Sequence, residues 1–208
     1  PDGTLVASGS SDQTVRLWGT GQVGEPRMVM GHGAQIMSVA FSPDGKWVAS
    51  GGLGTAVRLW DAISGEPTRE LTEHTGTLTY LAFSPDGKRL ASAGADRTAR
   101  LWDLASGKVL RTFTGHTQSV RGVAFGPEGR WLATASEDRT LKLWDAETGK
   151  ETRTLTGHTS LVYCIAASAD GKWLASGGQD RMVKLWDAAT GREQLTLTGH
   201  TRPIWSVA

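Results

Sequence analysis

The sequence predicts an all-β protein, a β-propeller of five four-stranded antiparallel blades, and three observations lead there. The five histidines, His32, His74, His116, His158 and His200, stand 42 residues apart at every step. Trp18, Trp60, Trp102, Trp144 and Trp186 keep the same step, and so do Pro1, Pro43, Pro85 and Pro127, so the chain is an uninterrupted repeat. Inside each unit apolar and polar residues alternate over short runs bounded by turn residues, with no helical stripe. A four-stranded antiparallel unit of this size cannot bury both faces alone, and stacking such sheets radially solves that problem.

The elements follow in order within a unit. Between 115 and 156 the expected strands are 120–125, 130–135, 140–144 and 151–156, separated by Gly-Pro-Glu-Gly, Ser-Glu-Asp-Arg and Asp-Ala-Glu-Thr-Gly. These are hairpin connections. The recurring Pro-Asp-Gly at 1–3, 43–45 and 85–87 presets φ at proline and offers a positive-φ site at glycine, which accounts for a chain with 27 glycines. Units 115–156 and 157–198 share 22 of 42 positions, a similarity that recent duplication or deliberate design would explain. The expected organisation is one domain over 1–208, with units at about 1–30 plus 199–208, 31–72, 73–114, 115–156 and 157–198.

Two dipeptides carry a family resemblance. Gly-His occurs at 31–32, 115–116, 157–158 and 199–200, and Trp-Asp at 60–61, 102–103, 144–145 and 186–187, in register with the turn motif and a strand reading like Arg-Leu-Trp. In this combination the chain resembles the WD40 repeat family over essentially its whole length. The resemblance implies a buried hydrogen-bonded set in each blade, joining the histidine to residues 18, 22 and 28 positions later. It maps onto His74, Ser92, Asp96 and Trp102; onto His116, Thr134, Asp138 and Trp144; and onto His158, Ser176, Asp180 and Trp186. In such a set each buried polar group finds a partner. The unit of His32 keeps Ser50 and Trp60 but has Gly54 where the aspartate belongs, so its blade is expected to be the weak one.

The ends of the chain look complementary. Ser8, Asp12 and Trp18 lack a preceding histidine, and His200 lacks the three residues that should follow it. Pairing of 204–208 with the first three strands would complete a fifth set from His200, Ser8, Asp12 and Trp18 and close the ring, removing both exposed sheet edges. Five repeats of 42 exceed the 208 residues only by the Phe-Ser that would join Ala208 to Pro1, and the Pro1 start reads as a cut inside a repeat. The alternative is an open arc, or a homo-oligomer built by strand exchange between copies.

Composition narrows the function. The net charge is +1, and no run of apolar residues is long enough for a membrane span, so neither a polyanion nor a membrane is an expected partner. Cys164 is the single cysteine, and no secretory leader is visible, which points to a reducing compartment and a cytoplasmic location. The histidines would lie one per blade and could not converge on one metal ion, Cys164 has no catalytic partner, and no phosphate-binding glycine motif occurs. No enzyme, metal or cofactor is expected. Arg16, Arg58, Arg100, Lys142 and Lys184 recur beside the tryptophans among acidic residues and read as ion-paired blade edges, and Trp47, Trp131 and Trp173 read as packing between blades.

Positions that vary between otherwise similar units carry the functional expectation. By resemblance to the family, three sets project onto one face of the disc: Gln35, Thr77, Ser119, Leu161 and Pro203; Met37, Thr79, Arg121, Tyr163 and Trp205; and Ser11, Leu53, Ala95, Glu137 and Gln179. In a closed ring Leu161, Tyr163, Pro203, Trp205, Met37 and Leu53 would form an apolar and aromatic sector opposite a polar one containing Arg121. The expected function is a non-catalytic scaffold that binds a protein or peptide on this face. The competing expectation is a self-assembling module whose main partner is another copy.

Overall fold

The computed structural model describes residues 3–21, 25–26 and 28–208. Pro1 and Asp2 of the first turn motif lie outside them. The described residues form five antiparallel sheets whose strands follow one another in chain order. The first sheet has three strands: β1 (Leu5–Gly9), β2 (Thr14–Gly19) and β3 (Met28–Gly31). The second holds β4 (Ile36–Phe41), β5 (Trp47–Gly52), β6 (Val57–Asp61) and β7 (Pro67–Leu71), and the third β8 (Leu78–Phe83), β9 (Arg89–Gly94), β10 (Ala99–Asp103) and β11 (Val109–Phe113). The fourth holds β12 (Val120–Phe125), β13 (Trp131–Ser136), β14 (Thr140–Asp145) and β15 (Glu151–Thr156). The fifth holds β16 (Val162–Ala167), β17 (Trp173–Gly178), β18 (Val183–Asp187) and β19 (Glu193–Leu197). In the fourth sheet the observed strands agree with the four expected from the sequence to within one residue at each end.

Each sheet is one blade, built by short hairpins. In the Ser-Pro-Asp-Gly turn, Gly45 takes φ +71° and donates its N–H to the Ser42 carbonyl at 2.9 Å, a conformation that a side chain would strain. The Ser42 hydroxyl donates to Asp44 and accepts from the backbone N–H of Trp47, so the turn returns the chain in register for β5. The first strands β4, β8, β12 and β16 pack on one another, and side chain to backbone bonds tie them together: Thr79 Oγ1 donates to the Val120 carbonyl at 2.6 Å, and the N–H of Leu81 donates to Ser38 Oγ at 3.0 Å. These are therefore the inner strands. The second strands carry the core, and Val48, Leu90, Leu132 and Leu174 are fully buried.

Neighbouring blades meet through matched volumes. A Cβ on Gly51 would stand 3.0 Å from Leu78, one on Gly177 would stand 2.6 Å from Ile204, and Gly9 lies under Ile36 in the same way. Where the second strand carries alanine, at Ala93 and Ala135, the facing inner-strand residue is the smaller Val120 or Val162, and each pair shares a core cluster. Glycine thus faces a six-carbon residue and alanine faces valine, keeping the junction filled at interior density.

The first blade departs from the expected closure. Residues 204–208 form no strand, β1 pairs only with β2, and the sheet has three strands. The chain end is instead held by the fifth blade: Ile204 is buried on Gly177 and donates its N–H to the Gly178 carbonyl at 3.0 Å. Among the described residues the strand pairing expected to close the ring is therefore not made.

The junction pairs generate a quantitative expectation. Gly51→Ala should destabilise by about 1–3 kcal/mol through overpacking against Leu78. Combined with Leu78→Val it should recover at least ~0.5 kcal/mol of the summed single effects. Urea unfolding of the double-mutant cycle measures this, and strict additivity would contradict the volume match.

Candidate functional site

Three blades contain a complete hydrogen-bonded relay. Trp102 Nε1 donates to Ser92 Oγ at 2.8 Å, Ser92 Oγ lies 2.7 Å from His74 Nε2, and His74 Nδ1 lies 2.8 Å from Asp96 Oδ2. The same contacts join Trp144, Thr134, His116 and Asp138 at 2.9, 2.7 and 2.7 Å. They recur for Trp186, Ser176, His158 and Asp180 at 2.8, 2.8 and 2.7 Å. Indole can only donate and carboxylate can only accept, so tryptophan donates to the hydroxyl and Nδ1–H donates to the carboxylate, while the hydroxyl keeps a hydrogen of its own that it can offer to Nε2.

The carboxylate has further tasks. Asp96 Oδ2 also accepts the N–H of Thr75, and its Oδ1 accepts both the N–H and the hydroxyl of Thr98. One side chain thereby ties the loop before the inner strand to the β9–β10 turn. In that turn Arg97 adopts φ +67°, and Arg139 and Arg181 do the same after Asp138 and Asp180. A non-glycine residue there is strained, and the aspartate bonds on either side hold it.

Charge states follow from this setting. Burial, which outweighs the attraction of Asp96 and Asp180, lowers His74 and His158 below the usual imidazole range. Burial alone would raise Asp96, Asp138 and Asp180, yet hydrogen bonds from the partner histidine and the turn residues hold all three below the usual carboxylate range.

Two units differ. His32 reaches Ser50 through Nδ1 at 2.8 Å and Trp60 donates to the same hydroxyl at 2.8 Å, but Gly54 supplies no carboxylate and no left-handed residue follows it. The expected fifth set is not assembled. Trp18 donates to Ser8 at 2.8 Å, whereas Asp12 is 45% exposed, against 3–8% for its buried counterparts, and turns to Thr14 and Arg16. His200 is exposed, because the segment that should carry it over Ser8 lies against the fifth blade.

The inner strands position a second group of residues. In β4, β8, β12 and β16 the register jumps at one place: Ile36 pairs with Gly52 and Ser38 with Gly51, and the same jump passes over residues 79, 121 and 163. Met37, Thr79, Arg121 and Tyr163 are thus the unpaired residues of β-bulges, which re-aim a side chain out of the alternation. With Trp205 and Tyr80 they line one central cavity of about 160 Å³.

At its wall Tyr163 and Trp205 stack with ring centroids 4.5 Å apart and planes within 3°. The Arg121 guanidinium lies 5.6 Å from the Tyr163 centroid and pairs with Glu137 at 3.2 Å, while Tyr163 donates its hydroxyl to Gln179. Arg121 therefore joins the aromatic sector and does not stand opposite it. Trp205 is 66% exposed, and Met37 and Leu53 are each 51% exposed. Leu161 and Pro203 are half-buried, and Leu161 lines a polar hollow with Glu137 and Asp138.

The remaining candidates have other partners. Arg16, Arg58, Arg100, Lys142 and Lys184 all form ion pairs with acidic side chains of their own blades. Trp131 packs on the core cluster shared by the fourth and fifth blades, Trp173 is 37% exposed, and Trp47 lines a rim cavity of about 480 Å³ with Leu59, Leu104 and Arg69. Cys164 is buried and its thiol is pushed up to about 11 by burial. Among the described residues no three His, Cys, Asp or Glu side chains gather as a metal site, and no helix is long and apolar enough to cross a membrane.

His74, His158 and the relay aspartates Asp96, Asp138 and Asp180 are depressed in the folded state, so between its folded and unfolded pKa each binds fewer protons folded than unfolded. Each contributes stability above its unfolded value that is lost as the pH falls. The urea midpoint should hold above the ordinary imidazole value of 6.5, decline below it, and decline again below about 4 as the carboxylates titrate. A midpoint that rises from pH 7 to pH 5 would contradict the relay. Asp138→Ala should cost about 1–3 kcal/mol by orphaning His116 and the turn, and an unchanged melting temperature is the opposing result.

The recurrent relay and the 42-residue period agree with comparison to known families. No curated protein is similar enough to the chain to be matched to it. The family model described as WD domain, G-beta repeat matches residues 1–19, 24–61, 65–103, 107–145 and 149–187. Five matches ending at 42-residue steps cover most of the sequence, and the chain belongs to the WD40 repeat family.

Proposed function

We propose that this chain is a non-catalytic scaffold that binds a protein or peptide at the central opening framed by Met37, Arg121, Tyr163 and Trp205, with Leu53, Leu161 and Pro203 at its margin. WD40 repeats generally mediate protein–protein interactions, and proteins of the family are generally scaffolds and not enzymes. The observation that carries the reading is the exposed Trp205 ring stacked on Tyr163, itself flanked by Arg121. Tryptophan, tyrosine and arginine are the residues that most often dominate binding energy, and a stack already formed in the free protein has little order left to lose. Arg121 and Tyr163 are presented by bulges of the inner strands β12 and β16, so this part of the surface is fixed before a partner arrives.

Selection of a random peptide library on the immobilised chain tests the reading. Selected peptides should lose at least about tenfold in affinity for Trp205→Ala and Tyr163→Ala, the loss of about 1.4 kcal/mol or more expected of a central anchor. The far-ultraviolet spectrum and melting temperature of both variants should be unchanged. Peptides that bind both variants as well as the parent would move the binding surface elsewhere.

A further inference from the structure

One junction between blades holds open a space that the next junction largely fills. Between the second and third blades a cavity of about 480 Å³ is lined by Trp47, Leu59, Thr68, Arg69, Lys88 and Leu104. Arg89, Leu101, Leu110, Arg111 and Ala146 stand at the corresponding positions between the third and fourth blades, where the space left is about 190 Å³. There Arg89 extends to the next blade and donates to the Gly129 carbonyl at 2.9 Å.

Trp47 is left in the cavity for a steric reason. In the fourth blade the ring of Trp131, at the equivalent position, lies against Gly126, where a Cβ would stand 2.2 Å from it. The second blade has Ser42 at that place, with a Cβ and with a hydroxyl that donates to Asp44 and accepts the Trp47 N–H. Two groups cannot share that volume, so the indole of Trp47 stays half-buried at the junction. Leu104 adds apolar surface to the same wall, whereas Ala62, Ala146 and Ala188 hold its position in other blades.

The charges that line the cavity complement an anion. Arg69 crosses the junction and donates to the Ala105 carbonyl at 3.2 Å, a neutral partner. The one lining carboxylate, Asp103, is turned to the N–H and hydroxyl of Ser106 at 2.7 and 2.6 Å. Lys46, Arg130 and Lys172 each pair with the acid of their own turn, whereas the exposed Lys88 forms no ion pair among the described residues.

We infer that this cavity is a small-molecule site for an aromatic carboxylate, whose ring lies among Trp47, Leu59 and Leu104 and whose carboxylate meets Lys88 and Arg69. A space of this size with an apolar wall and a few placed charges has the character of a ligand pocket. Indole offers an aromatic ring a stacking face, and guanidinium and ammonium groups form charge-assisted hydrogen bonds with a carboxylate. The site lies between two blades at the rim and shares no residue with the central opening, so neither reading depends on the other.

The test is titration of the unmodified chain with cinnamate, read on the ligand's own proton resonances and on the indole N–H signals of the protein. The Trp47 signal, identified by its loss in Trp47→Phe, should shift and saturate while that of Trp205 stays. Cinnamamide, the same ring without the charge, should bind at least about threefold more weakly, and Lys88→Gln should narrow that difference. Trp47→Arg copies the arrangement of the next junction, so its melting temperature should hold while cinnamate affinity falls at least about tenfold despite the added positive charge. Leu104→Ala, which restores the residue of other blades, should cost at least about threefold and decides the matter if Trp47→Arg does not fold. Absence of a saturable response, a response confined to Trp205, equal affinity for cinnamamide, or full affinity in the folded variants would each overturn the assignment.

Discussion

The carboxylate at the second hairpin turn of a blade is where the local and tertiary structure meet. Asp96, Asp138 and Asp180 each accept from a histidine on the incoming loop, from the backbone beside that histidine, and from the residue at or just before the start of the third strand. Without the first two bonds the inner strand would lose its anchorage at the rim of the opening. Without the third, an arginine would have no compensation for its left-handed backbone. The serine or threonine at the centre of each relay then fixes the indole that fills the blade. Gly54 removes all of this at once, and the chain responds locally: the turn drops its left-handed residue and His32 offers its other nitrogen to Ser50.

With the inner strands anchored, their bulges become presentation devices. A bulge releases one residue per strand from the alternation that would send it into a blade interface, and here it turns that residue toward the centre. The scaffold requires apolar residues on either side of the released position, as at Leu78 and Leu81 or Val120 and Val123, and makes use of the residue itself at Thr79, which bonds the Val120 carbonyl. Release from the alternation explains why methionine, threonine, arginine and tyrosine all occur there among near-identical repeats.

Much of this was legible in the sequence, for a physical reason. A period of 42 with no insertion makes every strand visible five times, so strand boundaries in the fourth blade fell within a residue of those observed. The bulges were less visible because they are a break in alternation, yet their signal is present: the inner strands place apolar residues three apart, as in Val162 and Ile165, where a regular strand would place them two apart. The position of Arg121 over Tyr163 was not legible, since it depends on how far a long side chain reaches across a blade boundary. Closure was not legible either. It depends on the angle accumulated over successive junctions, which no single repeat encodes.

The junctions between blades carry a last consequence. Because glycine faces isoleucine or leucine and alanine faces valine, each repeat holds half of a lock whose key is in the next one. Repeats that look interchangeable by identity are not interchangeable by position: moving the unit that carries Ala135 to stand before Leu78 would force a methyl group into occupied space. Gene duplication or recombination that respected repeat boundaries would scramble these pairs, whereas an exchange spanning a junction would preserve them. The order of the blades is therefore written into the contacts between them, and the natural unit of inheritance in such a chain is the seam and not the blade.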